Sequence, residues 1–233
     1  MFIIGHRGAA GLAPENTILG IKTAIENNVD AIEFDVRVTK DGKLVLCHDD
    51  TFLRIAGNSS KIEDLGLSEI RKLKTYSKQV IPTLEEAIKA AGNTPLVIEG
   101  KSDGWAKPLA KVLKNHKAPG ARVISYSHRE LFVFSELMPD IDTFVIENHH
   151  PIEAMMLAKK LGFTGVSLAA WLYSPVAYSF AKRRSLELIT SPINPTWRIR
   201  LFHVFYPKVM ITTDFPDRVM NHNLRRNRKR RKK

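Results

Sequence analysis

Short runs of aliphatic and β-branched residues alternate along this chain with longer stretches whose apolar positions recur every three to four residues. The apolar runs predict strands at Phe2–Gly5, Ala31–Val38, Pro95–Glu99, Arg122–Ser125, Thr143–Ile146, Gly165–Leu168, Leu186–Ile189 and Val209–Thr212. Between them the longer period predicts helices at Thr17–Asn27, Thr83–Ala91, Trp105–Asn115, Arg129–Leu137, Ile152–Leu161 and Pro175–Arg183. Start signals support several of these, such as Pro14-Glu15-Asn16 before Thr17 and Pro82-Thr83-Leu84-Glu85-Glu86. Stops fall at Asn27-Asn28, Gly92-Asn93 and Gly162. Strands separated by helices predict a parallel sheet, and their number predicts a closed (β/α)8 barrel with short loops.

One interval breaks the alternation. Lys43–Cys47 reads as an extra strand returning from a Lys40-Asp41-Gly42 turn, which would carry His48 back over the barrel mouth. From there to Pro82 the chain reads as a short insertion. Asn58-Ser59-Ser60 is expected as a polar loop and Ser68–Leu73 as a short helix capped by Ser68.

Charge changes the picture only at the end of the chain. The formal net charge is +12, but eight of the 36 Lys and Arg lie in Arg225–Lys233. The remaining 28 stand against 24 Asp and Glu, a balance of +4. Two units follow, a barrel domain over residues 1–221 and a basic tail over 222–233 too poor in apolar residues to pack. Such a run attracts polyanions without sequence preference, so no specific nucleic-acid partner is expected, while an anionic membrane surface is a possible one. Cys47 is the only cysteine, which excludes an internal disulfide and a thiolate metal site; it is expected to pack in a core. The uncharged run Leu161–Ala181 is broken by Gly162, Gly165, Ser174 and Pro175 and resolves into strand, loop and helix rather than a membrane span. No leader is evident at the N-terminus, so a cytoplasmic protein is expected, peripheral at the membrane if the tail docks there.

Candidate chemistry gathers near the start. On strand Ala31–Val38, Glu33 and Asp35 share one face while Ile32, Phe34 and Val36 share the other. Two carboxylates on one face of an apolar strand repel, by about 4 kcal/mol at roughly 4 Å and an effective dielectric near 20. A divalent cation relieves this, and all-oxygen ligands suit Mg²⁺ or Ca²⁺. His6 and Arg7 follow the first strand, Glu99 and Lys101 close the third, Glu147 with His149 and His150 follows the fifth, and Asp214 follows the last. In a barrel these C-terminal strand ends converge on one face, where active sites are built. His149-His150 is read as a polar loop, and Asp214 as a helix cap or a brace of the barrel.

The strings His6-Arg7-Gly8, Pro14-Glu15-Asn16-Thr17, Glu33-Phe34-Asp35-Val36, Thr39-Lys40-Asp41-Gly42 and His48-Asp49 resemble the glycerophosphodiester phosphodiesterase family. Ile81-Pro82-Thr83-Leu84-Glu85-Glu86, Ile98-Glu99-Gly100-Lys101 and Thr213-Asp214-Phe215-Pro216 continue the resemblance to about Val219. It implies a TIM barrel of the phospholipase C-like phosphodiesterase type and metal-dependent hydrolysis of a small-molecule phosphodiester to sn-glycerol 3-phosphate and an alcohol. It further implies Glu33, Asp35 and Glu99 as metal ligands and His6 and His48 as the acid–base pair. Arg7 and Lys101 become phosphate-contacting cations, and Glu15 and Asn16 supporting residues of the site.

Two departures bear on the substrate. Where the family commonly has Trp-Thr-Val-Asn, this chain has Ser191-Pro192-Ile193-Asn194, so an aromatic wall is lost. Trp171, Leu172 and Tyr173, with Trp197, Phe202, Phe205 and Tyr206, are expected at the rim, packing between loops, replacing that wall or forming an apolar surface. A lysophospholipase D-like or cyclic-phosphate-forming enzyme acting at membranes is therefore an alternative, and a non-catalytic polyanion-binding protein a second one.

Overall fold

The computed structural model describes residues 1–219. The predicted tail, and with it the end of the predicted domain, lies outside the described residues. The chain runs β1 (Phe2–Gly5), α1 (Ile18–Glu26), β2 (Ala31–Val38), β3 (Leu44–Leu46), β4 (Thr51–Phe52), α2 (Leu53–Ala56), β5 (Asn58–Lys61) and α3 (Leu67–Ile70). There follow α4 (Leu84–Ala91), β6 (Leu96–Gly100), α5 (Ala106–Asn115), β7 (Arg122–Ser125), α6 (His128–Leu137) and β8 (Asp142–Glu147). The last elements are α7 (Pro151–Leu161), β9 (Gly165–Leu168), α8 (Pro175–Arg183), β10 (Glu187–Thr190), α9 (Thr196–Phe205) and β11 (Met210–Thr213). β1, β2 and β6 through β11 pair in parallel, and β1 closes the ring by pairing with both β11 and β2. The predicted (β/α)8 TIM barrel is the fold.

Alternation along β2 divides its side chains between two environments. Ile32, Phe34 and Val36 point outward into the layer between sheet and helices. Phe34 is fully buried there, which stabilises the fold by about 1.5–3 kcal/mol. Ala31 joins Ile4, Val97, Ile124, Phe144, Ile146, Ile189 and Met210 inside the barrel. Glu33 and Asp35 occupy the same inward face nearer the C-terminal end.

β2 outlasts β1. Once β1 ends at Gly5, the free edge of β2 is taken by antiparallel β3, with Val36 opposite Leu46 and Val38 opposite Leu44. The hairpin turn needs a left-handed residue, which Gly42 supplies at φ 72°. This arm delivers His48 to the mouth, as the sequence predicts.

The insertion has its own core of Val45, Cys47, Phe52, Ile62, Ile70 and Ile81. Burial there pushes the Cys47 thiol up to about 12, in keeping with the packing role expected of it. Asn58-Ser59-Ser60, expected as a loop, lies in strand β5, which pairs with Thr51-Phe52. The predicted helix at Ser68 begins at Leu67 and is capped by the Glu69 carboxylate, which accepts from Gly66 N–H. Among the described residues no helix is long and apolar enough to cross a membrane.

Candidate active site

The turn after β1 is the tightest part of the site. His6 leaves the strand, Arg7 adopts φ 47° and Gly8 φ 88°. A Cβ on Gly8 would come within 2.6 Å of the Gly20 carbonyl carbon, so both backbone conformation and helix proximity require glycine there. The turn aims the Arg7 N–H at Glu33, whose Oε2 accepts at 2.7 Å. Asn16, at φ 53°, holds the neighbouring Asp35 by both side chain and backbone. Its Nδ2 donates to Asp35 Oδ2 at 2.8 Å, and its Oδ1 accepts from the Asp35 N–H at 3.1 Å. Left-handed backbone at two non-glycine residues in one site is strain that the surrounding contacts hold in place.

Glu33, Asp35 and Glu99 each offer a carboxylate oxygen, and these oxygens all lie within 4.8 Å of one another. Their electrostatics differ. Burial and the adjacent Asp35 push Glu33 up to about 8, against the opposing pull of His6. Burial and Asp35 likewise raise Glu99. Asp35 is held below the usual carboxylate range because Lys101, Arg7 and the Asn16 hydrogen bond outweigh its burial. Among the described residues Glu33 Oε1 is buried without a hydrogen-bond partner. An orphaned carboxylate oxygen beside two further carboxylates fits a hard divalent cation. The three residues predicted as metal ligands are thus brought together.

Each predicted histidine is braced by a carboxylate. His6 Nδ1 stands 2.6 Å from Asp214 Oδ1, and Asn194 Nδ2 donates to Asp214 Oδ2 at 2.6 Å. Burial disfavours charge on His6, but the Asp214 hydrogen bond and the Glu33 field prevail and raise its pKa. His48 Nδ1 lies 2.7 Å from Asp49 Oδ1. The Arg37 guanidinium donates to the His48 carbonyl through Nε and Nη2 at 3.0 and 2.8 Å. Because a carboxylate only accepts, Nδ1 carries the proton in both rings, and each Nε2 is left to face a ligand, that of His6 lying 3.9 Å from Glu33 Oε2. Asp214, expected only as a cap or brace, therefore holds a predicted acid–base residue. Sequence spacing hid this because the two residues are 208 positions apart.

The cations answer carboxylates. Lys101 Nζ lies 2.7 Å from Glu99 and 3.4 Å from Asp35. Arg7 Nη1 donates to Glu15 at 3.0 Å, and its Nε lies 3.3 Å from Asp35. Glu15 is gripped from the other side by Arg54, whose Nη1 and Nη2 donate to its two oxygens at 2.9 and 2.7 Å. Arg54 Nε donates to Asp49 at 2.7 Å. A continuous chain of charge-assisted contacts thus joins Arg7, Glu15, Arg54, Asp49 and His48. Arg54 was not singled out from sequence, and Asp49, quoted in the string His48-Asp49, was given no role there.

A cavity of about 200 Å³ opens between these groups, lined by His6, Arg7, Glu33, His48, Glu99 and Lys101. Tyr126 and Asn148 close one side, with Asn148 Nδ2 donating to the Tyr126 hydroxyl at 2.6 Å. Ser191 and Pro192, just after β10, also line it. Glu15 and Asn16 support the site from behind. Glu147 Oε1 accepts the N–H groups of Asn148, His149 and His150, so His149-His150 belongs to a capped polar turn. Of the readings weighed for the rim aromatics, Tyr173 takes packing: it is partly buried against Phe202 at 4.9 Å, and its hydroxyl donates to the Ile189 carbonyl.

The sequence model of the glycerophosphoryl diester phosphodiesterase family matches residues 6–217. A glycerophosphodiester phosphodiesterase of Bacillus subtilis is 33% identical over 167 residues, covering 60% of this chain and 57% of that protein. One from Caldanaerobacter subterraneus is 34% identical over 154 residues, covering 60% of this chain and 63% of that protein. The aligned region spans less than two thirds of the length of these relatives. Among solved structures, an Oleispira antarctica phosphodiesterase in complex with the product sn-glycerol-3-phosphate superposes with a TM-score of 0.87 at 23% identity, covering 95% of this chain and 96% of that one. A glycerophosphodiester phosphodiesterase of Agrobacterium tumefaciens gives 0.82 at 22% identity, covering 95% of this chain and 98% of that one. At such identities the structural likeness establishes the barrel, while the family match over residues 6–217 establishes the family. The chain belongs to the glycerophosphoryl diester phosphodiesterase family.

Proposed function

We propose that this protein hydrolyses glycerophosphodiesters to sn-glycerol 3-phosphate and an alcohol, with a divalent cation held by Glu33, Asp35 and Glu99. One observation carries the reading: two histidines, each braced by its own carboxylate, flank a cluster of three buried carboxylates at the mouth of the barrel. The cation, when bound, supplies Lewis-acid stabilisation for the charge that builds on the phosphoryl oxygens. This chain's own groups do the remaining work. Arg7 and Lys101 add positive charge beside the same oxygens. In the overall reaction water adds to phosphorus and the bond from phosphorus to the alcohol oxygen breaks. One histidine Nε2 takes the proton of the attacking hydroxyl, and the other delivers a proton to the departing alkoxide. Asp214 and Asp49 hold both Nδ1–H groups, so the base offers a bare Nε2 and the acid, as the imidazolium, a protonated one.

Mass spectrometry of products tests the proposal. Glycerophosphocholine and glycerophosphoethanolamine with Mg²⁺ or Ca²⁺ are expected to yield sn-glycerol 3-phosphate. Failure to turn over any diester with either cation would sink it. Lysophosphatidylcholine belongs in the same assay, because Ser191-Pro192 at the cavity wall removes an aromatic contact on the glycerol side. Lysophosphatidate or a cyclic phosphate as the main product would establish that second reading in its place.

Arg54 supplies a further expected result. Arg54→Gln breaks the tie from Glu15 to Asp49 and loosens His48, and is expected to lower kcat by roughly 10–100-fold, the range for supporting contacts. Its own side chain is 48% exposed, so the loss of stability is expected to stay within about 1 kcal/mol. Thermal melts beside steady-state kinetics check both, and an unchanged kcat would remove Arg54 from the mechanism.

A further inference from the structure

α9 is apolar on two faces. Ile199, Phe202 and Tyr206 pack against the barrel. Trp197, Leu201, Val204 and Phe205, at helical spacings of four, three and one, form a second stripe that faces out. Trp197 is 63% exposed, Val204 71% and Phe205 66%. The stripe extends for about 12 Å at 1.5 Å per residue. α9 enters after β10, so Trp197 lies at the mouth end of the barrel. The turn after β9 places Trp171, 71% exposed, at that same end, and Ala170 N–H donates to Ser191 Oγ across the two loops. Val176, 73% exposed, opens the neighbouring α8. Solvent-facing apolar groups in such number on one side of a fold mark an interaction surface.

The charge around the stripe selects its partner. Between Glu153 and Asp214 the sequence holds a single acidic residue, Glu187, against eight Lys and Arg. Arg198 and Arg200 lie on α9 itself, and Lys182 and Arg183 end α8. A second copy meeting this face would bring basic groups against basic groups. We propose that the α8–α9 side of the barrel docks on an anionic lipid bilayer. Trp171, Trp197, Leu201 and Phe205 enter the headgroup region, and the surrounding cations face lipid phosphates. Docking there brings the β9–β10 edge of the active-site mouth next to the lipid surface, where diesters carrying an acyl chain are presented.

Flotation of the full chain with phosphatidylcholine vesicles, with and without phosphatidylglycerol, tests the surface without turnover, so its failure leaves the diesterase reading standing. Binding is expected only with phosphatidylglycerol, weakening but persisting from low to physiological salt. Trp197→Ser combined with Leu201→Ser and Phe205→Ser is expected to lower the partition coefficient by about tenfold or more, since binding scales with the apolar area inserted. The substitutions are exposed, so the circular dichroism melt should stay that of the parent, and glycerophosphocholine turnover should be retained. In Trp171→Phe, Trp197 is the exposed reporter beside buried Trp105, and its emission is expected to shift to the blue on vesicles. A triple variant that binds as the parent does would assign binding to the C-terminal cations and overturn the proposal. So would unshifted Trp197 emission, or a parent dimer that the triple variant dissolves and that ignores vesicles.

Discussion

Alanine at His6 or at His48 is expected to lower kcat by about 10²–10⁴-fold, the usual contribution of a positioned proton-transfer group. Calorimetric titration with Mg²⁺ or Ca²⁺ should show cation binding largely intact in both variants, because neither ring belongs to the carboxylate cluster. The double variant should lose far less than the product of the two factors, since residues acting on one reaction are not additive. A rate near that of the parent in either single variant would exclude that histidine. Asp214→Asn then separates the roles. The Asp214 hydrogen bond helps hold the His6 pKa above its ordinary value of 6.5, so the substitution should bring it down. If His6 is the base, the acidic limb of the pH–rate profile moves to lower pH; if it is the acid, the alkaline limb moves to lower pH.

The barrel and the carboxylate cluster were legible in the sequence for one physical reason. Parallel strands buried on both faces read as continuous apolar runs, so a carboxylate inside such a run stands out, and period-two alternation tells which side it faces. Glu33 and Asp35 could be placed this way before any coordinate. Contacts that join distant loops left no local trace. Asp214 reaches His6, and Arg54 reaches both Glu15 and Asp49, through closure of the barrel and packing of the insertion. α9 was missed for a different reason. A helix apolar toward the barrel and apolar toward solvent has no amphipathic period, so its Trp and Phe residues read as scattered rim aromatics. The packing of Tyr173 could be expected but not its partners, because the Phe202 and Tyr206 rings that cover it come from that unrecognised helix and its cap.

Glu33→Gln is expected to move activity and stability in opposite directions. Removing a carboxylate from the cluster should weaken cation binding and abolish most of the cation-dependent turnover. In chelator, however, the variant should be the more stable protein at alkaline pH. Glu33 sits at about 8 in the folded chain against an ordinary 4.5. A carboxyl raised on folding stabilises the fold fully below its unfolded value, and that contribution is lost as pH rises from there through the folded value. Above pH 8 the cation-free parent therefore carries a buried charge beside Asp35, whereas glutamine is neutral and can still accept the Arg7 N–H that Glu33 Oε2 accepts. Thermal melts in EDTA should show the parent falling in Tm between about pH 4.5 and 8 and the variant following a shallower slope. Above pH 8 the variant should melt higher by on the order of 5 °C for a chain of this size. Added Mg²⁺ or Ca²⁺ should raise the parent's Tm and leave the variant's nearly where it was. A variant that melts lower than the parent in EDTA at alkaline pH, or that keeps full cation-dependent turnover, would show that Glu33 serves the fold through its charge and not the cation.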